Sequence, residues 1–122
     1  MRTILTVDDS TSMRQMVRAT LQSAGYGVVE AADGQEALDF ARTNAVDLVI
    51  SDVNMPRMDG ITLVHELRAL PGYRLTPLLL LTTESSQDKK LEGKRAGATG
   101  WIVKPFNPAQ LLTTLTKLFG NS

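Results

Sequence analysis

The stretch Ile4-Leu5-Thr6-Val7-Asp8-Asp9-Ser10-Thr11 passes from an apolar run to two carboxylates and then to two hydroxyls. Its first four residues read as a short strand buried on both faces. From Thr11 to Ala24, Met13, Met16, Val17 and Leu21 recur at helical spacing. A helix is expected there, capped by Ser10 or Thr11 and ended by Gly25.

The same alternation continues downstream. Val28-Val29 sits in a second short strand, and Gln35 to Thr43 reads as a helix with Ala37, Leu38 and Ala41 on one face. Asp47 to Ser51 holds the apolar run Leu48-Val49-Ile50, a third strand. Ile61 to Leu70 is helical in pattern, with Val64, Leu67 and Leu70 inward, and Pro71-Gly72 then breaks the chain. Leu78-Leu79-Leu80-Leu81 fits helix or strand by propensity. Pro77 and the established alternation favour a buried strand. Ser86 to Ala96 is a weak helix, with Leu91 its one large apolar residue and Gly93 lowering its propensity. Trp101-Ile102-Val103 forms a fifth strand. Pro108 to Phe119 closes the chain as a helix striped by Leu111, Leu112, Leu115, Leu118 and Phe119. Strand-then-helix repeats with continuous apolar strands predict an α/β fold with a parallel sheet covered on both faces.

Composition narrows the function classes. With 122 residues the chain fills one domain, and no output domain is expected beside it. Thirteen basic residues balance thirteen acidic ones, which argues against nucleic-acid binding. The absence of cysteine rules out disulfides and thiolate metal sites. The apolar runs are too short for a signal peptide or a membrane span. A cytoplasmic protein, working as a monomer without a membrane partner, is the expectation.

In an open parallel sheet, ligands gather beyond the carboxyl ends of the strands. Asp8 and Asp9 follow the first strand, Asp52 the third, Thr82 and Thr83 the fourth, and Lys104 the fifth. Taken singly, each has a plainer reading: a helix cap, a turn residue, a strand end, a solvated lysine. Taken together they place three carboxylates, a hydroxyl and an ammonium after strands that end on one edge. Three close carboxylates repel one another and call for a cation. An all-oxygen donor set suits Mg2+, or Mn2+, rather than zinc. A carboxylate can attack phosphorus to form an acyl phosphate. A cation, Lys104 and the Thr82 hydroxyl are suited to the negative oxygens that result.

Four segments carry a resemblance. Val7-Asp8-Asp9, Ser51-Asp52-Val53-Asn54-Met55-Pro56-Arg57-Met58-Asp59-Gly60, Thr82-Thr83-Glu84 and Val103-Lys104-Pro105-Phe106 resemble the signatures of bacterial response-regulator receiver domains, in order and over essentially the whole chain. The resemblance implies a flavodoxin-like, doubly wound (βα)5 sandwich with strand order 2-1-3-4-5. It implies that Asp52 is the phosphoacceptor. Asp8, Asp9 and Asp52, with the backbone carbonyl of Asn54, would hold Mg2+. Thr82 and Lys104 would bind the phosphoryl group, and the Lys104-Pro105 peptide would be cis. Asn54 and Glu84 would flank the attacking water and tune self-dephosphorylation.

Among receivers the chain is most similar to the stand-alone chemotaxis type, in Met13-Arg14, Asn54 and Glu84. That type implies a CheA-like sensor histidine kinase as donor. It also implies a downstream protein, such as the flagellar switch protein FliM, on the face made by the fourth helix, fifth strand and fifth helix. A phosphate sink or shuttle for another regulator would use the same pocket. Three positions depart from the family pattern. Trp101 stands where a switch Tyr or Phe is usual, Thr83 where a small Ala is common, and Ser10 replaces a bulkier residue. The fourth helix opens with Ser85-Ser86-Gln87-Asp88, where the flagellar-motor form carries lysines.

Two other classes fit less well. A Mg2+-dependent phosphohydrolase working through an aspartyl phosphate needs a second Asp two residues after the nucleophile. That position is Asn54. No turnover of an external substrate is therefore expected, only the chain's own phosphorylation and dephosphorylation. A nucleotide-binding module needs a glycine-rich phosphate loop, and Asp8-Asp9 would repel a pyrophosphate. His65 reads as a surface residue remote from the acidic cluster.

Overall fold

Each apolar run becomes one strand of a single parallel sheet. The computed structural model describes residues 1–83 and 87–120. In chain order the elements are β1 (Thr3–Val7), α1 (Thr11–Ser23), β2 (Gly27–Ala31), α2 (Gly34–Thr43), β3 (Leu48–Asp52), α3 (Gly60–Arg68), a short 3-10 turn (Pro71–Tyr73), β4 (Leu78–Thr82), α4 (Gln87–Ala96), β5 (Gly100–Val103) and α5 (Pro108–Leu118). The strands lie in the order β2-β1-β3-β4-β5, all parallel. This is the flavodoxin-like order. Among the described residues no helix is long and apolar enough to cross a membrane.

Strand periodicity sorts the core into two layers. Leu5, Val7, Val49, Leu78 and Leu80 face α2 and α3. Ile4, Leu48, Ile50, Leu79 and Leu81 face α1 and α5, meeting Val17, Leu21, Leu111 and Leu115. The four-leucine run is thus split between the two faces, two residues to each. β3 and β4 are buried along their whole length, as strands covered on both faces must be.

Side-chain oxygens cap α1, α2, α3 and α5, which start at the carboxyl edge of the sheet. Ser10 accepts from the Met13 N–H, Asp33 from Glu36, Asp59 from Thr62, and Asn107 from Ala109 and Gln110. Each cap satisfies a donor that helix geometry leaves unpaired.

Two apolar assignments, Met16 and Leu70, fall differently in the structure. Met16 is more than half exposed, because it lies a quarter-turn off the stripe of Val17 and Leu21. Leu70 lies beyond the end of α3 and is only half-buried, and Tyr73 in the 3-10 turn is buried instead, donating its hydroxyl to the Asn44 carbonyl at 2.7 Å. Leu91 points outward, and Gly93 is the buried residue of α4. At the opposite edge of the sheet from the caps, the Arg68 guanidinium donates to the carbonyls of Tyr73, Arg74, Thr76 and Gly97 and to the Thr99 hydroxyl. It ties α3 to the segments before β4 and β5.

Candidate phosphoryl and metal site

Register brings the polar residues together. Val7 of β1 is paired with Ser51 of β3, so Asp8 emerges beside Asp52. Asp52 is paired with Leu81, so Thr82 emerges just beyond it. Thr82 is paired with Val103, and the Lys104 N–H donates to the Thr82 carbonyl at 2.7 Å. Three neighbouring strands plus β5 therefore deliver their terminal residues to one place.

Carboxylate oxygens of Asp8, Asp9 and Asp52 lie within 4.8 Å of one another. Asp8 and Asp52 are buried, Asp9 is exposed. Lys104 Nζ lies 3.0 Å from Asp52 Oδ1 and 3.5 Å from Asp8 Oδ2. Asp8 Oδ1 accepts from the Ser10 N–H at 2.8 Å, whereas Asp8 Oδ2 is buried without a hydrogen-bond partner among the described residues. Burial pushes the Asp52 carboxyl above the usual carboxylate range; the Lys104 hydrogen bond pulls against this, and the Asp8 charge adds to it. An oxygen-only donor set with one buried, unsatisfied carboxylate oxygen fits a hard divalent cation such as Mg2+ or Mn2+.

The backbone around Asp52 is closely packed. The Ser51 hydroxyl donates to the Asp52 carbonyl at 2.9 Å. The Gly60 N–H donates to the Val53 carbonyl at 2.8 Å, and a Cβ on Gly60 would overlap the Asp52 carbonyl oxygen. Only glycine lets α3 start so close to the strand. The intervening loop carries Asn54, exposed two residues from Asp52. Arg57 has a positive φ of 66° and pairs with Asp33, the cap of α2. The Glu36 N–H and the Arg57 guanidinium hold the Asp33 carboxyl below its ordinary range.

The remaining sequence candidates are partly near the pocket. Thr82 is fully buried at the end of β4, and Thr83 beside it is exposed. The Lys104-Pro105 peptide is cis. Glu84, together with Ser85 and Ser86 at the expected opening of the fourth helix, lies outside the described residues. Trp101 is half-buried on β5, against the Leu80 layer, and its Nε1 is buried without a hydrogen-bond partner among the described residues. His65 is exposed on α3, as expected. Sequence reasoning gave no role to Asp33 or Arg57. The capping pattern Asp33-Gly34-Gln35-Glu36 was the available signal for Asp33, and a lone arginine in the loop after Asp52 does not name a partner.

A family model of the response regulator receiver domain matches residues 4–116. The chain belongs to the response regulator receiver domain family. This receiver is 57% identical to the chemotaxis protein CheY4 of Vibrio cholerae, whose structure matches with a TM-score of 0.93 over 97% of this chain and 98% of that one. It is 39% identical over 117 residues to the chemotaxis protein CheY-3 of Vibrio cholerae, covering 95% of this chain and 90% of the relative. The receiver domain of the sensor histidine kinase PA1611 from Pseudomonas aeruginosa is 31% identical, with a TM-score of 0.91 over 98% of each chain; that structure has a magnesium ion coordinated in its active site cleft.

Proposed function

We propose that this receiver is a chemotaxis-type phosphorylation switch, accepting a phosphoryl group on Asp52 from a CheA-like histidine kinase. The observation that carries the reading is Lys104 Nζ, 3.0 Å from Asp52 Oδ1, set among three carboxylates at the carboxyl edge of the sheet. The likeness to relatives named as chemotaxis proteins supports the pathway.

In the transfer, a carboxylate oxygen of Asp52 attacks phosphorus. The phosphorus–nitrogen bond of the donor phosphohistidine breaks, and its electron pair stays on the imidazole. The product is an acyl phosphate, with the Lys104 ammonium placed to pair with its oxygens and the Thr82 hydroxyl to donate to them. Asp8, Asp9 and Asp52, with the Asn54 carbonyl, are the groups that would hold Mg2+, or Mn2+. When bound, the cation supplies positive charge against the phosphoryl oxygens. In the return step water attacks phosphorus, the bond to the Asp52 oxygen breaks, and inorganic phosphate leaves with the carboxylate restored. Asn54 and Glu84 tune that step. Phosphorylation shifts an equilibrium between two shapes of the face formed by α4, β5 and α5, with Trp101 as its aromatic reporter and Thr83 beside it. A downstream cytoplasmic protein, FliM or another regulator's partner, reads the change.

Acetyl phosphate with Mg2+ should add one acid-stable, hydroxylamine-sensitive phosphoryl group to the wild type and none to Asp52→Asn, by intact-mass spectrometry. Equal labelling of Asp52→Asn would overturn the assignment.

A further inference from the structure

Asp8 is held from three directions. The Ser10 N–H occupies Oδ1 at 2.8 Å. The Asp8 N–H donates to the carbonyl of Ala31, at the end of β2, at 3.2 Å. The Asp8 carbonyl accepts from Arg14 Nη1 at 2.6 Å. Arg14, on α1, is mostly buried, and its Nε faces Glu30 Oε1 at 3.4 Å. The other Glu30 oxygen accepts from Arg18 Nη1 at 2.6 Å. Glu30 and Ala31 are adjacent on β2. Both main-chain groups of Asp8 are therefore tied to one short piece of β2, one directly and one through Arg14. The atom left over is Oδ2, buried, facing Lys104 Nζ at 3.5 Å and without a hydrogen bond among the described residues.

We propose that Arg14, oriented by Glu30, is a positioning residue for the cation site: it fixes the Asp8 backbone so that Oδ2 is the oxygen presented to the pocket. The inference rests on the Mg2+ reading above. A guanidinium suits the task because its planar fork reaches a carbonyl with one nitrogen while another faces Glu30. Changing a residue that orients a metal ligand typically costs about 10–100-fold in metal affinity. The sign of the effect separates positioning from simple charge. Arg14 carries a positive charge near the carboxylates, so if charge alone mattered its removal would tighten cation binding.

The test measures Mg2+ affinity through the dependence of thermal stability on MgCl2 at constant ionic strength, for wild type, Arg14→Gln, Arg14→Lys and Glu30→Gln. Arg14→Gln should weaken Mg2+ binding about tenfold. Arg14→Lys, which keeps one donor, should fall between it and wild type. Glu30→Gln should weaken binding less than Arg14→Gln, and the double variant should be no worse than Arg14→Gln alone. A merely structural role would lower the melting temperature without MgCl2 and leave the Mg2+ dependence unmoved. Unchanged or tighter binding by Arg14→Gln overturns the proposal. If that variant does not fold, unchanged affinity in Glu30→Gln overturns it instead. Wild type that binds no Mg2+ removes the cation reading itself, and this inference with it.

Discussion

A methyl group on Gly93 would lie 3.0 Å from Cζ3 of Trp101 and 2.9 Å from a Leu80 methyl. The one buried position of α4 is therefore a notch that admits the indole of β5. In an exposed helix Gly→Ala adds stability, about 1 kcal/mol. Here the added atom meets side chains in a filled layer, where overpacking costs about 1–3 kcal/mol. Gly93→Ala should lower the melting temperature and shift the Trp101 emission. A rise in stability with unchanged emission would show that the notch has slack.

Gly60→Ala should be the more damaging substitution, because its added atom meets backbone rather than the end of a flexible side chain. A loss of about 3 kcal/mol or more in denaturant unfolding is expected. Since the displaced group is the Asp52 carbonyl, the surviving folded protein should also phosphorylate more slowly with acetyl phosphate. Loss of stability with an unaltered rate would separate the two effects.

Asp52 gives a stability signal of unusual sign. Its folded-state carboxyl titrates above its unfolded value, so the native state holds the proton more tightly. Stability contributed by this group is present at acid pH and is lost as pH rises through the folded value. Without divalent cations, Asp52→Asn should therefore melt higher than wild type at pH 7, and the gap should close as pH falls toward the ordinary carboxylate range. MgCl2 should narrow the gap from the other side, by stabilising wild type alone. A variant less stable than wild type at pH 7 without cations would mean that the Lys104 pair outweighs burial.

Lys104→Ala leaves two buried carboxylates without their ammonium. Without cations the loss should be about 2 kcal/mol. Mg2+ should bind at least as tightly as in wild type, because a competing positive charge is gone, while Trp101 should no longer respond to a beryllofluoride phosphoryl mimic. Weaker Mg2+ binding together with a preserved Trp101 response would reverse the assigned roles.

The residues of the pocket were legible because parallel strands that end on one edge must bring their following residues together. Asp8, Asp52, Thr82 and Lys104 all lie where that rule puts them. What holds them was not legible. Arg14 reaches the Asp8 carbonyl from its position on α1, and Arg57, whose φ is positive, reaches Asp33 from a loop 24 residues away in sequence. Neither is visible as a pattern of residue types. The leucines of β4 carried no period, so their division between two layers needed the sheet. Met16 was misread for the opposite reason: a periodic apolar residue signals a face, not whether anything covers it.

The Arg68 hub makes the two ends of the sheet unequal as places to sever the polypeptide. Leu75 is almost wholly exposed, yet the carbonyls of its neighbours Arg74 and Thr76 both end on the Arg68 guanidinium. A nick at Leu75 would leave Asp8, Asp9 and Asp52 on one fragment and Thr82 and Lys104 on the other, with a single side chain clasping both new ends. Such a molecule has the makings of a split reporter, whose two halves regain phosphorylation only when they meet.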